Sequence, residues 1–292
     1  MRGPGRSLRL AAVFLRVSAM NELQYRANLL VQLFQSVIAL ATGLAVLGLV
    51  FSHTRELGGW SPAQLLAVMG VHIMVGGVVR TAIQPNMLRL IEDVREGKLD
   101  YVLVKPRDGQ LLVSIRELSI WQSVDCVVGA VVIGVAVARL AAPAGIWQAL
   151  GFAAAMLLGV LTIYCFWLLL SVGAFWVVRL EFIVELFEGV YQAGRWPVAI
   201  YPAGLRVLLT FLVPLAFAVT VPAQVIAGLA TAGTLLAALA FTVALTALTR
   251  WAWKLGLRAR PSSCSPPLCG AMRPDRRATT VPFQPTKVIC ES

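Results

Sequence analysis

Leu29 to Phe51 is a run of 23 residues without a charged side chain. A helix rises ~1.5 Å per residue and the hydrocarbon core of a bilayer is ~30 Å thick, so about 20 such residues cross it. Ala63 to Val79 adds 17 uncharged residues. It is lengthened by Arg80, whose side chain can snorkel to the interface, and by Thr81, Ala82 and Ile83. Leu118 to Ala138 is interrupted only by Asp125. Leu140 to Val178 holds 39 uncharged residues, broken early by Pro143 and Gly145, which leaves a long span from Ile146 onward. Val207 to Thr249 holds 43 and is broken by Pro214 and Pro222. That is enough for two spans, or for one span and a re-entrant segment. Only 13% of the chain is charged and 59% is hydrophobic, where a soluble domain carries about 25% charged residues. Such a chain must face lipid. Backbone polar groups find no water there, so the expected class is all-α and polytopic.

The stretch between Arg179 and Arg206 reads in two ways. Leu180 to Trp196 is apolar apart from Glu181, Glu185, Glu188 and Arg195. As a span, it leaves Pro197 to Pro222 as an outer re-entrant region (about 197–222) and Val225 to Trp253 as the last helix. As a cytoplasmic amphipathic helix, it leaves the 43-residue run as a final hairpin. Both give six transmembrane helices over 28–258. With the N-terminus inside, the inner segments hold 20 basic residues and the outer ones hold Arg55, Arg139 and, on the first reading, Arg206. That bias places both termini in the cytoplasm.

Residues 1–27 carry Leu8, Leu10, Val13, Phe14, Val17 and Met20 near helical spacing with arginines between them. This predicts an N-terminal amphipathic helix in the inner interface rather than a cleavable signal. Residues 259–292 are rich in proline and lack periodicity, which predicts a disordered tail. The inner loop 84–117 is the most informative stretch. Arg89, Glu92, Asp93, Arg95, Glu96, Lys98 and Asp100 mix both signs, and Leu88, Leu90, Ile91 and Val94 recur at helical spacing before Gly97, a natural stop. A short amphipathic helix parallel to the membrane is expected. It is either a solvated loop helix or a docking surface for a cytoplasmic protein, with charges for specificity and an apolar ridge for affinity.

No chemical centre is legible. The sequence has no G-x-x-x-x-G-K-[ST], no H-E-x-x-H and no G-x-S-x-G. His72 is expected to be packed and hydrogen-bonded within its span. Asp125 is expected to bond a neighbouring helix, with substrate contact as the alternative. Glu181, Glu185 and Glu188 share one helix face at i, i+4, i+7, where like charges in hydrocarbon need water, a cavity or arginines such as Arg179 and Arg195. That face is either the wet side of an interfacial helix or an acidic lining for cations. Asp125, Glu181, Glu185, Glu188 and Arg195 are therefore the candidate substrate-pathway residues.

Four stretches, NELQYRAN (Asn21 to Asn28), REGKLDYVLVKP (Arg95 to Pro106), FEGVYQAGRWPVAIYP (Phe187 to Pro202) and VPLAFAVTVPAQ (Val213 to Gln224), resemble in their order the membrane subunit of a bacterial ABC-2-type ABC transporter. The resemblance covers residues 6 to 258. It implies a multi-pass permease of the bacterial inner membrane that exports a hydrophobic or cationic compound, drug-like or lipid-like. It also implies a second permease copy or paralogue as partner, and separate cytoplasmic ATPase subunits that carry the ATP and Mg, so that this chain binds no cofactor. The loop after span two would couple to those ATPases through Arg89, Glu92, Asp93, Arg95, Glu96, Gly97 and Asp100. Relatives end soon after the last helix, so the tail departs from the pattern, consistent with a shifted reading frame or an appended extension. A non-transporting membrane scaffold and an intramembrane enzyme are the rival functions; the latter lacks a visible nucleophile, base or metal cluster.

Overall fold

The computed structural model describes residues 26–95, 117–140, 145–173 and 181–258, and among them every regular element is a helix. Most of the expected interfacial helix 1–27 and all of the tail 259–292 lie outside the described residues. Five helices are long and apolar enough to cross a bilayer: Asn28–His53, Pro62–Val94, Ile120–Arg139, Ile146–Gly173 and Ala232–Gly256.

The first of these, α1 (Arg26–His53), touches the rest of the bundle along one stripe. Ser36 and Gly43 are buried, Gln32, Leu40 and Leu47 are half-buried, and most other side chains are exposed. The spacing of three or four residues is that of one helix face. After α1, Leu57 and Trp60 exchange backbone hydrogen bonds of 3.1 Å across Gly58 and Gly59. Both glycines have positive φ (60° and 82°), the conformation a two-residue reversal of this kind demands. Ser61 then caps α2 (Pro62–Val78) in a reciprocal capping box with Gln64, with Pro62 at the first helical position.

Helix α2 does not stop where the charges begin. It passes through a π turn, Val79–Ile83, into α3 (Gln84–Arg95). The separate helix expected from the sequence is instead a continuation of the second span. Pro85 is the cause. It has no N–H for the carbonyl of Thr81 and its ring crowds that oxygen, so a regular helix cannot continue. The extra residue of the π turn relieves the clash: Gln84 donates to Val79 O, five residues back. The released Thr81 carbonyl accepts from Ser119 N at 2.9 Å. A second difference concerns the apolar ridge. Met87 and Leu90 are fully buried within the chain's own core, Ile91 is nearly buried, and only Leu88 remains exposed.

Helix α4 (Ser123–Arg139) runs antiparallel to α2 in the most extensive pairing of the bundle. Small residues permit the approach. A Cβ on Gly129 would lie 2.6 Å from Met74 N, one on Gly77 2.7 Å from Cys126 N, and one on Gly70 2.8 Å from Ile133 Cγ1. Without hydrophobic drive between helices in lipid, close packing of this kind is a main source of association.

Helix α5 (Ile146–Gly173) is followed by the shorter α6 (Glu181–Ala193). Along α6 and its extension the chain follows α2 in reverse. Glu188 lies 3.8 Å from Arg80, the Tyr191 hydroxyl donates to the carbonyl of His72 at 2.8 Å, and Ile200 reaches Gly58 at the other end of α2. The next residues form broken pieces: α7 (Ala203–Val207), π turns at Leu208–Leu212 and Ala216–Thr220, and α8 (Val221–Ile226). Val213 is extended between the two π turns, just before Pro214. The 43-residue run thus does not make two long helices, and the final-hairpin reading fails because Pro214 and the residues around it interrupt the first of them.

The leg from Ala216 to Ile226 packs on α5. A Cβ on Gly159 would lie 2.9 Å from Ala218 backbone, and Gln148 Nε2 donates to the terminal carbonyls of Val225 (3.0 Å) and Ile226 (2.7 Å). Those are orphan acceptors of a helix end. Gly228, at φ 72°, ends α8, so the last helix starts later than Val225. Thr231 and Thr234 cap it reciprocally, giving α9 (Ala232–Arg258). It runs parallel to α5 and is joined to it by Thr162–Thr242 (2.8 Å) and by Thr249 donating to Cys165 O (3.3 Å).

Candidate functional site

Asp125 occupies the first turn of α4 and is 5% exposed. A carboxylate buried within a spanning helix is costly unless every lone pair is engaged. Three donors from two other elements meet it. Arg80 Nη2 donates to Oδ2 at 2.7 Å, Gln32 Nε2 donates to the same oxygen at 3.3 Å, and the Ser36 hydroxyl donates to Oδ1. Arg80 therefore points its guanidinium at the start of α4. Its position in the π turn aims it between α4 and α6, and Glu188 is its second, longer partner.

This cluster forms one wall of a cavity of about 290 Å³. Helix α1 contributes Gln32, Gln35, Ser36 and Ala39, α2 contributes Met69, His72 and Ile73, and Arg80, Gln122, Asp125, Gln192 and Arg195 complete it. Gln35 and Gln192 are exposed on its rim, so the mouth lies between α1 and α6. His72 stacks on Tyr191 with ring centroids 4.5 Å apart. It is packed as expected, but its buried Nδ1 has no hydrogen-bond partner among the described residues, nor has Gln122 Oε1. Arg195 donates to Gln192 Oε1 at 3.3 Å. Among the described residues no carboxylate lies within ion-pair distance of it.

The other sequence candidates are placed as follows. Glu188 stands beside Arg80, Glu185 is exposed, and the Glu181 side chain lies outside the described residues. Neither Glu185 nor Glu188 lines the cavity, and Arg80 rather than Arg195 is the cation near Glu188. On α3, Arg89 reaches Glu92 at 3.0 Å, Asp93 at 3.6 Å and Glu117 at 3.9 Å. Asp93 is buried, while Glu92 is exposed. Arg95 ends α3, and Glu96, Gly97 and Asp100 lie outside the described residues. A residue the sequence did not single out, Asn86, holds this region together. Its Nδ2 donates to Ala82 O (2.6 Å) and Glu117 O (2.8 Å), and its Oδ1 accepts from Glu117 N (2.9 Å). Neutral amides such as Asn86, Gln32, Gln35, Gln122 and Gln192 do not interrupt a hydropathy run as charges do. The signal available was the shared face of Gln32, Gln35 and Ser36 at helical spacing.

Among the described residues no three His, Cys, Asp or Glu side chains come together as a metal site requires. The family model described as ABC-2 family transporter protein matches residues 37–263. The chain belongs to the ABC-2 transporter family. No curated protein and no solved structure matches it. As an ABC-2 permease it is an integral membrane protein, the membrane component of a transporter of the kind that works with a cytoplasmic ATP-binding subunit. The match takes in the cavity wall from Ala39 onward, and begins just past Gln32, Gln35 and Ser36.

Proposed function

We propose that this permease is the membrane subunit of an ATP-driven exporter in a bacterial inner membrane, with both termini cytoplasmic. It moves a hydrophobic, drug-like or lipid-like compound outward by alternating access. Separate ATPase subunits hold the ATP and Mg, a second permease copy or paralogue completes the pathway, and this chain does no covalent chemistry. Six crossings follow if 181–200 is the fifth; its contacts with both ends of α2 support that reading. An outer re-entrant hairpin over 203–227 is supported by Gly159 meeting Ala218 midway along α5 and Gln148 meeting Ile226 near its start.

The observation that supports the mechanism is the mechanical link from α3 to the cavity wall. Helix α3 continues α2 through a single π turn, is clamped to the start of the next span by Asn86 and Glu117, and lies directly after Arg80, whose guanidinium holds Asp125. A push on α3 by a docked ATPase therefore reaches the cavity wall through two bonded connections. Interfaces and packed cores of this kind switch between discrete arrangements rather than deforming smoothly.

The test uses the exposed side of α3. Leu88→Asp with Glu92→Lys alters the exposed side and replaces none of buried Met87, Leu90 and Asp93, although Arg89 loses its contact with Glu92 and keeps Asp93 and Glu117. Co-purification of the ATPase is expected to fall by about tenfold or more, since misplaced charge at an interface costs several kcal/mol, and efflux to fall with it at unchanged permease yield. Undiminished docking and efflux would reject the coupling role. A cationic cargo is the second reading, favoured by exposed Glu185, which has no ion-pair partner among the described residues.

A further inference from the structure

We propose that the cavity between α1 and α6 receives the anionic headgroup of an amphiphile, with Arg195 as the receiving cation and His72 and Gln122 as neutral partners. This rests on the transporter reading for its role in transport. The charge of the wall is the first argument. Two arginines face one carboxylate, and that carboxylate is already engaged by Arg80, Gln32 and Ser36. A cation entering here would have to displace Arg80. An anion meets a guanidinium whose described partner is a neutral amide at 3.3 Å, a group suited to bidentate binding of phosphate or carboxylate oxygens.

The second argument is the pair of buried atoms without partners. His72 is 6% exposed, and its Nδ1 is unpartnered, as is Gln122 Oε1. Such atoms are costly to bury unless something occupies the space beside them. Both residues line the cavity, and a turn of either side chain toward it would let an imidazole N–H donate to an oxyanion and the Gln122 amide oxygen accept from a hydroxyl on the same headgroup. Size and position are the third argument. About 290 Å³ suits a headgroup rather than a whole amphiphile, since drug-sized sites start near ~300 Å³. The mouth is flanked by exposed Gln35, on a helix long and apolar enough to span a bilayer, and by exposed Gln192 on α6. The acyl portion can therefore stay in lipid while the headgroup enters from the side.

The experiment uses the full chain in neutral detergent and follows thermal unfolding as ligands are added. Phosphatidylglycerol is the anionic probe, phosphatidylcholine the zwitterionic one, tetraphenylphosphonium the cation and inorganic phosphate the free ion. A ligand that binds the folded chain raises the unfolding midpoint by an amount that grows with the logarithm of its concentration over its dissociation constant. Phosphatidylglycerol is expected to stabilise, and Arg195→Gln to weaken its apparent affinity by about tenfold or more. Arg195→Lys should keep part of the response, which separates loss of charge from loss of fold, and Arg139→Gln, an exposed charge away from the cavity, should keep all of it. Stabilisation by phosphate as well assigns the site to free anions and headgroups alike; stabilisation by phosphatidylglycerol alone assigns it to the lipid. An equal response to phosphatidylcholine or to tetraphenylphosphonium, or a full response in Arg195→Gln, overturns the proposal. Absent binding with intact ATPase docking removes the headgroup site alone, whereas intact binding with unaltered docking in the α3 variant removes the coupling mechanism alone.

Discussion

Asp125→Ala should destabilise the permease by about 3–5 kcal/mol, the range observed when one partner of a buried ion pair is removed. The substitution strips the acceptor from Arg80, Gln32 and Ser36 at once. Arg80 is left with Glu188 at 3.8 Å, and its side chain is only 26% exposed. Equilibrium unfolding of the purified chain in mixed detergent micelles measures the loss. Asp125→Asn keeps the shape and two acceptor sites but not the charge, so it should fall between the wild type and Asp125→Ala. The informative variant is Arg80→Met with Asp125→Leu. Exchanging a whole buried pair for apolar side chains is often close to neutral, so this double variant should regain most of the stability. If the pair also links α3 to the cavity, the double variant should fold and yet transport poorly. Unchanged stability in Asp125→Ala, or a double variant as unstable as the single one, contradicts this account.

The same ion pair marks the border of what the sequence discloses. The spans near 29–51, 118–138 and from Ile146 were legible because uninterrupted apolar runs leave one solution in lipid. Arg80 and Asp125 were both visible as charges at span ends, but 45 positions apart nothing in hydropathy joins them. The π turn at Pro85 was not legible, because a proline there permits a stop as readily as a bulge, and the outcome depends on Ser119 being present to take up the freed carbonyl. The three glutamates of α6 suggested an acidic wall. Helix periodicity places them on one face but cannot say where that face begins; of the two whose side chains are described, Glu188 ends beside the Arg80 cluster and Glu185 is exposed. The cavity itself was nearly silent. Its polarity comes mainly from glutamines, a serine and a histidine spread over four helices, each unremarkable within its own segment.

Gly129→Leu is expected to be the most damaging single change away from any charge. A Cβ at this position would sit 2.6 Å from Met74 N and 2.8 Å from its Cα. Those are backbone atoms, so no rotamer change relieves the clash, and α4 must move away from α2. Overpacking commonly costs about 1–3 kcal/mol and more where the backbone must shift; here the upper end or beyond is expected. The lipid-facing glycines supply the control: Gly134, in the same helix, and Gly48 in α1 have nothing within 4 Å of an added Cβ. Gly134→Leu should change stability by no more than about 0.5 kcal/mol, as surface substitutions usually do. The contrast within one helix removes helix propensity as the explanation, because leucine is a better helix former than glycine at both sites. Gly77→Leu opposes Cys126 N at 2.7 Å, one residue from Asp125, and should combine the steric penalty with loss of the Arg80 contact. Its cost should therefore be less than additive with Asp125→Ala, whereas Gly70→Leu, which meets Ile133 two turns further along α4, should add to it in full.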